Sequence, residues 1–137
     1  MAVYNKVSGS REALLEGINC GTDQWAIALT NTAPSLAFTA GTSDLATGGG
    51  YTAGGANVAT TTSTESAGVY KLVIADPAVW TASGAGIGPF RYVMLVNKTT
   101  NQCIGYWDYG SSITLNGTNG DTFTVDLDGT NGVIQVA

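Results

Sequence analysis

The chain has 137 residues, ten Asp and Glu against five Lys and Arg, a net charge of −5 and no histidine. Charged residues make up 11%, less than half of the roughly 25% in an average soluble protein, while small residues fill more than half of the positions; one compact β domain follows as the expectation. Without histidine there is no Ser-His-Asp or Cys-His engine and no zinc site of the usual kind, so no catalytic residue, cofactor or metal is expected and the chain reads as a non-enzyme.

Taken in chain order, residues 1–20 read as an N-terminal arm and short helix. Tyr4, Val7, Leu14, Leu15 and Ile18 fall near one helical face, with Arg11, Glu12 and Glu16 elsewhere. Ser8 or Ser10 is the expected cap and Gly17 the stop, and Gly9 confines the firm helix to residues 11–16. The opening MAVYNKVSGS has no apolar core of the kind a cleaved leader carries, so synthesis in the cytoplasm is expected. Trp25, Ile27 and Leu29 then alternate with Ala26, Ala28 and Thr30, the period of a half-buried strand.

Residues 31–57 hold Pro34, Gly48-Gly49-Gly50 and Gly54-Gly55. They predict a long Gly-rich surface excursion with a short strand near residues 36–39, and long loops of this kind often carry contacts. Strands follow at residues 57–63, 68–75 and 79–81, the second broken by Asp76-Pro77. The most apolar run, residues 90–97, is predicted central, with Phe90, Tyr92, Met94 and Val96 on one face and Arg91, Val93 and Leu95 on the other. Further strands are expected at 103–109, 111–115, 122–127 and 133–136, separated by the Asn-Gly and Asp-Gly turns of NGTNG and DGTNG. About eight strands after one helix predict a mainly β single domain over residues 1–137, an antiparallel β-sandwich or jelly roll over residues 21–137.

Several constellations suggest chemistry. Counted from Asp126 as an EF-hand loop, the sixth residue is Asn131 rather than Gly and the twelfth is Ala137 rather than Glu, so the calcium pattern fails. Asp126 and Asp128 fall on one outward strand face opposite Val125 and Leu127, which favours solvated acids over a glycosidase pair with Asp121. Gly84, Gly86 and Gly88 precede Pro89 and a strand, not the helix a phosphate loop requires. Asn97-Lys98-Thr99 and Asn116-Gly117-Thr118 match glycosylation sequons but read as turns. Cys20 and Cys103 read as two separate small hydrophobes, with a bridge between them as the alternative. Tyr106-Trp107-Asp108-Tyr109-Gly110 is the densest aromatic cluster. Alternation permits Trp107 and Tyr109 to be core, while an exposed set would stack on a sugar or form a protein hot spot. Scattered basic residues make no phosphate-tracking patch, and the apolar runs are too short to span a bilayer, so neither nucleic acid nor membrane is expected.

The succession ALTNTAPS (28–35), GGGYTAGG (48–55), GVYKLVIADP (68–77), GPFRYVML (88–95), GYWDYGSSITL (105–115) and DTFTVDLDGTNGV (121–133) resembles a family of small tailed-bacteriophage virion structural proteins, most like a head decoration (cement) protein. The resemblance spans nearly the whole chain and implies a non-catalytic component of the outer head surface that bridges major capsid subunits. It also implies self-association about a local symmetry axis, a trimer before a dimer. Tyr4, Val7, Tyr51, Tyr106, Trp107 and Tyr109 are the candidate interface residues, with the N-terminal segment and residues 31–57 as contact surfaces. The alternatives are a tail, neck or fibre-associated module and a host-glycan-binding β-sandwich using Tyr106, Trp107 and Tyr109.

Overall fold

A long antiparallel hairpin carries the architecture, and the computed structural model, which describes residues 2–137, shows how the other elements assemble on it. In chain order the elements are β1 (Tyr4–Lys6), α1 (Ser10–Glu16), β2 (Trp25–Thr30), β3 (Ala56–Val58), β4 (Thr60–Ser66), β5 (Val69–Ile74), β6 (Trp80–Thr81), β7 (Ile87–Asn97), β8 (Gln102–Leu115), β9 (Thr122–Phe123) and β10 (Ile134–Val136). They form a five-stranded sheet in the order β1-β8-β7-β2-β3, a three-stranded sheet β10-β5-β4 and the pair β6-β9, with every pairing antiparallel. The protein is therefore mainly β and layered as a sandwich, with ten strands where eight were expected; the extra ones have only two or three residues.

The principal core lies between the layers. It takes Trp25, Ile27 and Leu29 from β2 and Phe90, Val93 and Leu95 from β7, and meets them with Leu72 and Ile74 from β5 and Ile134 from β10. A second, smaller cluster covers the outer face of the five-stranded sheet, where Val7 and Phe38 close over Ala28, Met94, Val96 and Cys103. This cover changes the reading of β2. All six of its residues are buried, because the small side chains of Ala26 and Ala28 let neighbouring segments pack on the face that alternation assigns to solvent.

Tyr4 and Val7 belong to no helix. Tyr4 pairs with Trp107 and Lys6 with Gly105, and the Val7 amide donates to the Ile104 carbonyl. The helical period that ran through them was interrupted by Gly9, which holds φ +83° and turns the chain from strand to helix. No side chain caps α1: Gly9 is its N-cap, and Ser10 is buried inside the first turn. Gly17 does end the helix, donating its amide to the Ala13 carbonyl.

In β7 the expected face assignment fails at its N-terminal end. The register shifts between Phe90 and Tyr92, so Phe90 joins Val93 and Leu95 in the inner core while Met94 and Val96 face outward. Two residue steps of β7 there span five of β8, from Ile113 to Asp108, and an irregularity of this kind breaks the alternation on which a face assignment rests. The predicted strands at 103–109 and 111–115 are one continuous β8 running through Gly110, and only Thr122 and Phe123 of the predicted 122–127 strand are paired. Beyond them the chain is tied down by side-chain chemistry, as the Leu127 amide donates to Asp76 Oδ1 at 2.7 Å.

Residues 31–57 form the long loop, held against the sandwich as a strap. The Cys103 amide donates to the Leu36 carbonyl, the Phe38 amide to Asn101, and the Leu45 amide to Leu29. Phe38, Asp44 and Tyr51 are buried. The segment ends in β3, whose approach to β2 requires Gly55: a Cβ there would collide with the Ile27 carbonyl.

Candidate functional site

Where the two layers part beside β1 and β8, a groove of about 530 Å³ opens. One wall is aromatic. Trp107 and Tyr109 project from the same face of β8, two residues apart, and Tyr4 is the cross-strand partner of Trp107. Tyr4 and Trp107 lie 5.1 Å apart between ring centroids, tilted by 57°. Tyr109 meets Phe123 of β9 edge-on at 6.2 Å, and Phe123 in turn packs edge-on against Phe90 at 4.9 Å. The floor is Val93, Leu127 and Val133, all buried. The opposite rim carries Asp126, Asp128 and Gln135.

The rings differ in accessibility. Tyr109 is 56% exposed, whereas Trp107 is half-buried against the principal core. Tyr4 docks its phenol over Gly105, where any Cβ would collide with the ring; burial pushes its hydroxyl well above the ordinary tyrosine range. Of the two rim acids, Asp128 is built into the local turn. Its Oδ1 accepts from the Thr130 and Asn131 amides at 2.9 and 2.7 Å, and its Oδ2 accepts from the Asn131 side chain. Those donors hold its carboxyl below the usual carboxylate range, the Asn131 amide foremost. Asp126 is exposed on the same rim. Asp126 and Asp128 are exposed on either side of the buried Leu127, as expected, although this stretch is not paired as a strand.

The six residues singled out from the sequence separate into three places. Tyr4, Trp107 and Tyr109 converge on the groove. Tyr106 turns to the outer face, where it meets Tyr92 edge-on at 5.6 Å and packs on the second cluster with the buried Val7. Beside them Arg91 forms a two-pronged pair with Asp108 at 2.7 and 2.9 Å and lies 5.3 Å from the Tyr92 ring centre. This pair and the Gly110 amide hold the Asp108 carboxyl below its usual range. Tyr51 is 2% exposed and serves the interior. Its hydroxyl donates to Asp44 and accepts from the Leu29 amide, and burial together with Asp44 keeps it protonated. Phe123 and Gln135 were missed as groove residues. Phe123 had a legible signal, the inward parity it shares with Val125 and Leu127, but nothing in the sequence showed which rings it would meet.

A second surface lies around the edge where α1 meets β10. Two shallow depressions of about 340 and 500 Å³ share Leu14, Leu15, Ile134 and Val136. Leu15 is 84% exposed and Val136 56%. Lys6 and Arg11 border the first depression, Ile18 and Tyr70 the second.

The remaining motifs are accounted for locally. Asn97 of the first sequon is fully buried; its amide donates to Asp23 and its carbonyl accepts from Thr100. Asn116 of the second accepts from the Thr118 and Asn119 amides in an exposed turn. Cys20 and Cys103 are both free; burial raises both thiols, Cys103 up to about 12. Among the described residues no helix is long and apolar enough to cross a membrane, and no three acidic or cysteine side chains converge as a metal-binding group.

Fold and surfaces together define an antiparallel β-sandwich with one aromatic groove and one exposed apolar edge. The chain matches no protein-family model, no curated protein and no solved structure.

Proposed function

We propose that the protein is a non-enzymatic bacteriophage virion structural protein that decorates the outer surface of the head and stabilises it by bridging major capsid subunits. The observation that carries this reading is the exposed apolar edge of α1 and β10. A leucine held 84% exposed on a seven-residue helix, sharing both depressions with Ile134 and the exposed Val136, offers apolar area that docking on a partner would bury. Burying such a side chain against a partner contributes about 1.5–3 kcal/mol. The GPFRYV and YWDYGSSITL blocks, which resemble those of tailed-phage virion proteins, support the same reading.

One apolar patch per chain suffices for bridging if the chains associate about a symmetry axis. A trimer presents three copies of the patch to three capsid subunits, and linked weak contacts multiply into firm attachment. Synthesis would occur in the host cytoplasm, with docking on the head afterwards.

Copy number tests the reading. Quantitative mass spectrometry of purified particles is expected to give a ratio to the major capsid protein near one or a simple fraction set by the local axes. A handful of copies per particle would overturn the head assignment in favour of neck, tail or fibre, and complete absence would remove the virion assignment itself.

A further inference from the structure

The proposed role leaves the rings of Trp107 and Tyr109 unused, since the apolar edge of α1 and β10 adjoins the groove only at Tyr4, Val133 and Gln135. We infer that this groove is a binding site for a neutral oligosaccharide. Three features of its lining lead there. First, the two ring pairs form a wall rather than a box: Trp107 and Tyr109 stand about 7 Å apart along one strand, as residues two positions apart must. A cation cage needs rings converging on one point; a row of rings suits a succession of flat, weakly apolar faces, which is what the C–H sides of pyranose rings present. Second, the polar side chains among the described groove residues are acceptors or amphiprotic: Asp126, Asp128, Gln135, Thr124 and the Tyr4 and Tyr109 hydroxyls, with no Lys or Arg. Such a rim favours hydroxyl donors and repels sulfated, phosphorylated or sialylated chains. Third, the groove is apolar at its floor with a few polar groups at one edge, and its volume of about 530 Å³ falls within the size range of small-molecule sites.

Within the site the roles separate. Tyr109, the most exposed ring, is the stacking platform. Tyr4 and Trp107 form the deeper platform, held by Gly105 and the β1–β8 pairing. Asp126 accepts hydroxyls at the rim, while Asp128 fixes the turn that positions it.

Intrinsic fluorescence offers a direct readout, because Trp25 and Trp80 are buried and Trp107 alone of the three tryptophans borders the groove. The intact protein is titrated with cellohexaose, maltohexaose and hexa-N-acetylchitohexaose, and a printed array of neutral and sialylated glycans broadens the search. A neutral saccharide is expected to shift Trp107 emission with a dissociation constant in the millimolar to micromolar range. Tyr109→Ala and Asp126→Ala are expected to weaken that binding by about tenfold or more each, while Val79→Ser, on an exposed residue outside the groove, leaves it unchanged. Both groove substitutions are at solvent-facing positions, and unaltered thermal melting confirms that they fold. The inference is overturned if no neutral glycan binds, if tetramethylammonium or an oligolysine peptide displaces the response in place of sugars, if sialylated chains bind best, or if Tyr109→Ala binds like the unmodified protein. A dimer that Tyr109→Ala dissolves would also overturn it, assigning the groove to a second copy of the chain.

Discussion

Asp44 and Tyr51 sit within the glycine-rich strap, yet they act as its anchor. Asp44 accepts from the Gly41 and Gly54 amides, both at 2.6 Å, as well as from the Tyr51 hydroxyl. That hydroxyl also accepts from the Leu29 amide at 3.1 Å, joining the strap to β2. Every polar atom of this buried cluster is therefore satisfied through a neighbour, and removal of one leaves others unmatched. Tyr51→Phe preserves the ring against Trp80, 6.1 Å away, but strips the Leu29 amide and Asp44 of their partner. Chemical denaturation is expected to show a loss of about 1–3 kcal/mol at neutral pH; an unchanged midpoint would mean that water replaces the hydroxyl at no cost. The sequence displayed Tyr51 in a run of glycines and small residues, where an exposed contact was the natural expectation. Only the fold-back of the strap brings Asp44 and Leu29 to it.

At the level of elements, β1 shows how a short strand depends on one residue in its neighbour. Three residues cannot hold a strand by backbone pairing alone; Tyr4 supplies the packing, and it can do so because Gly105 leaves room for its phenol. Gly105→Ala is expected to displace Tyr4, loosen β1 and destabilise the protein by about 1–3 kcal/mol, the usual range for overpacking. Trp107 emission should shift to the red as its partner ring departs. Retention of the native emission and midpoint would show that the ring yields without releasing the strand. The same geometry ties the N-terminal segment into the fold, since Val7 is buried under the second cluster. The irregularity between β7 and β8 has a related consequence: alternation is reliable only between such shifts, and the extra residues here lie on β8 around Gly110, not on β7 itself.

For the molecule as a whole, the surfaces divide by chemistry. The groove side is aromatic and acidic; the α1–β10 edge is aliphatic and bordered by Lys6 and Arg11. If the aliphatic edge is the head-docking surface, Leu15→Asp places a charge at its centre while touching nothing in the core. The apparent affinity for expanded heads is expected to fall by at least tenfold, about 1.4 kcal/mol or more, with thermal stability unchanged. Wild-type affinity in the variant would remove this edge from the contact surface.

Much of this protein was legible in the chain itself. The β class, the single helix, the central position of residues 90–97, the turns at 116–120 and 128–132 and the outward acids follow from periodicity and from residues that tolerate tight turns, both local properties. Tertiary structure alone decided that both faces of β2 are covered, that Tyr4 is a strand residue, that Phe90 changes sides and that Tyr4, Trp107, Tyr109 and Phe123 share one groove. The physical reason is the same in each case: these outcomes depend on which distant segment lies opposite, and a sequence read one window at a time holds the side chains but not their partners.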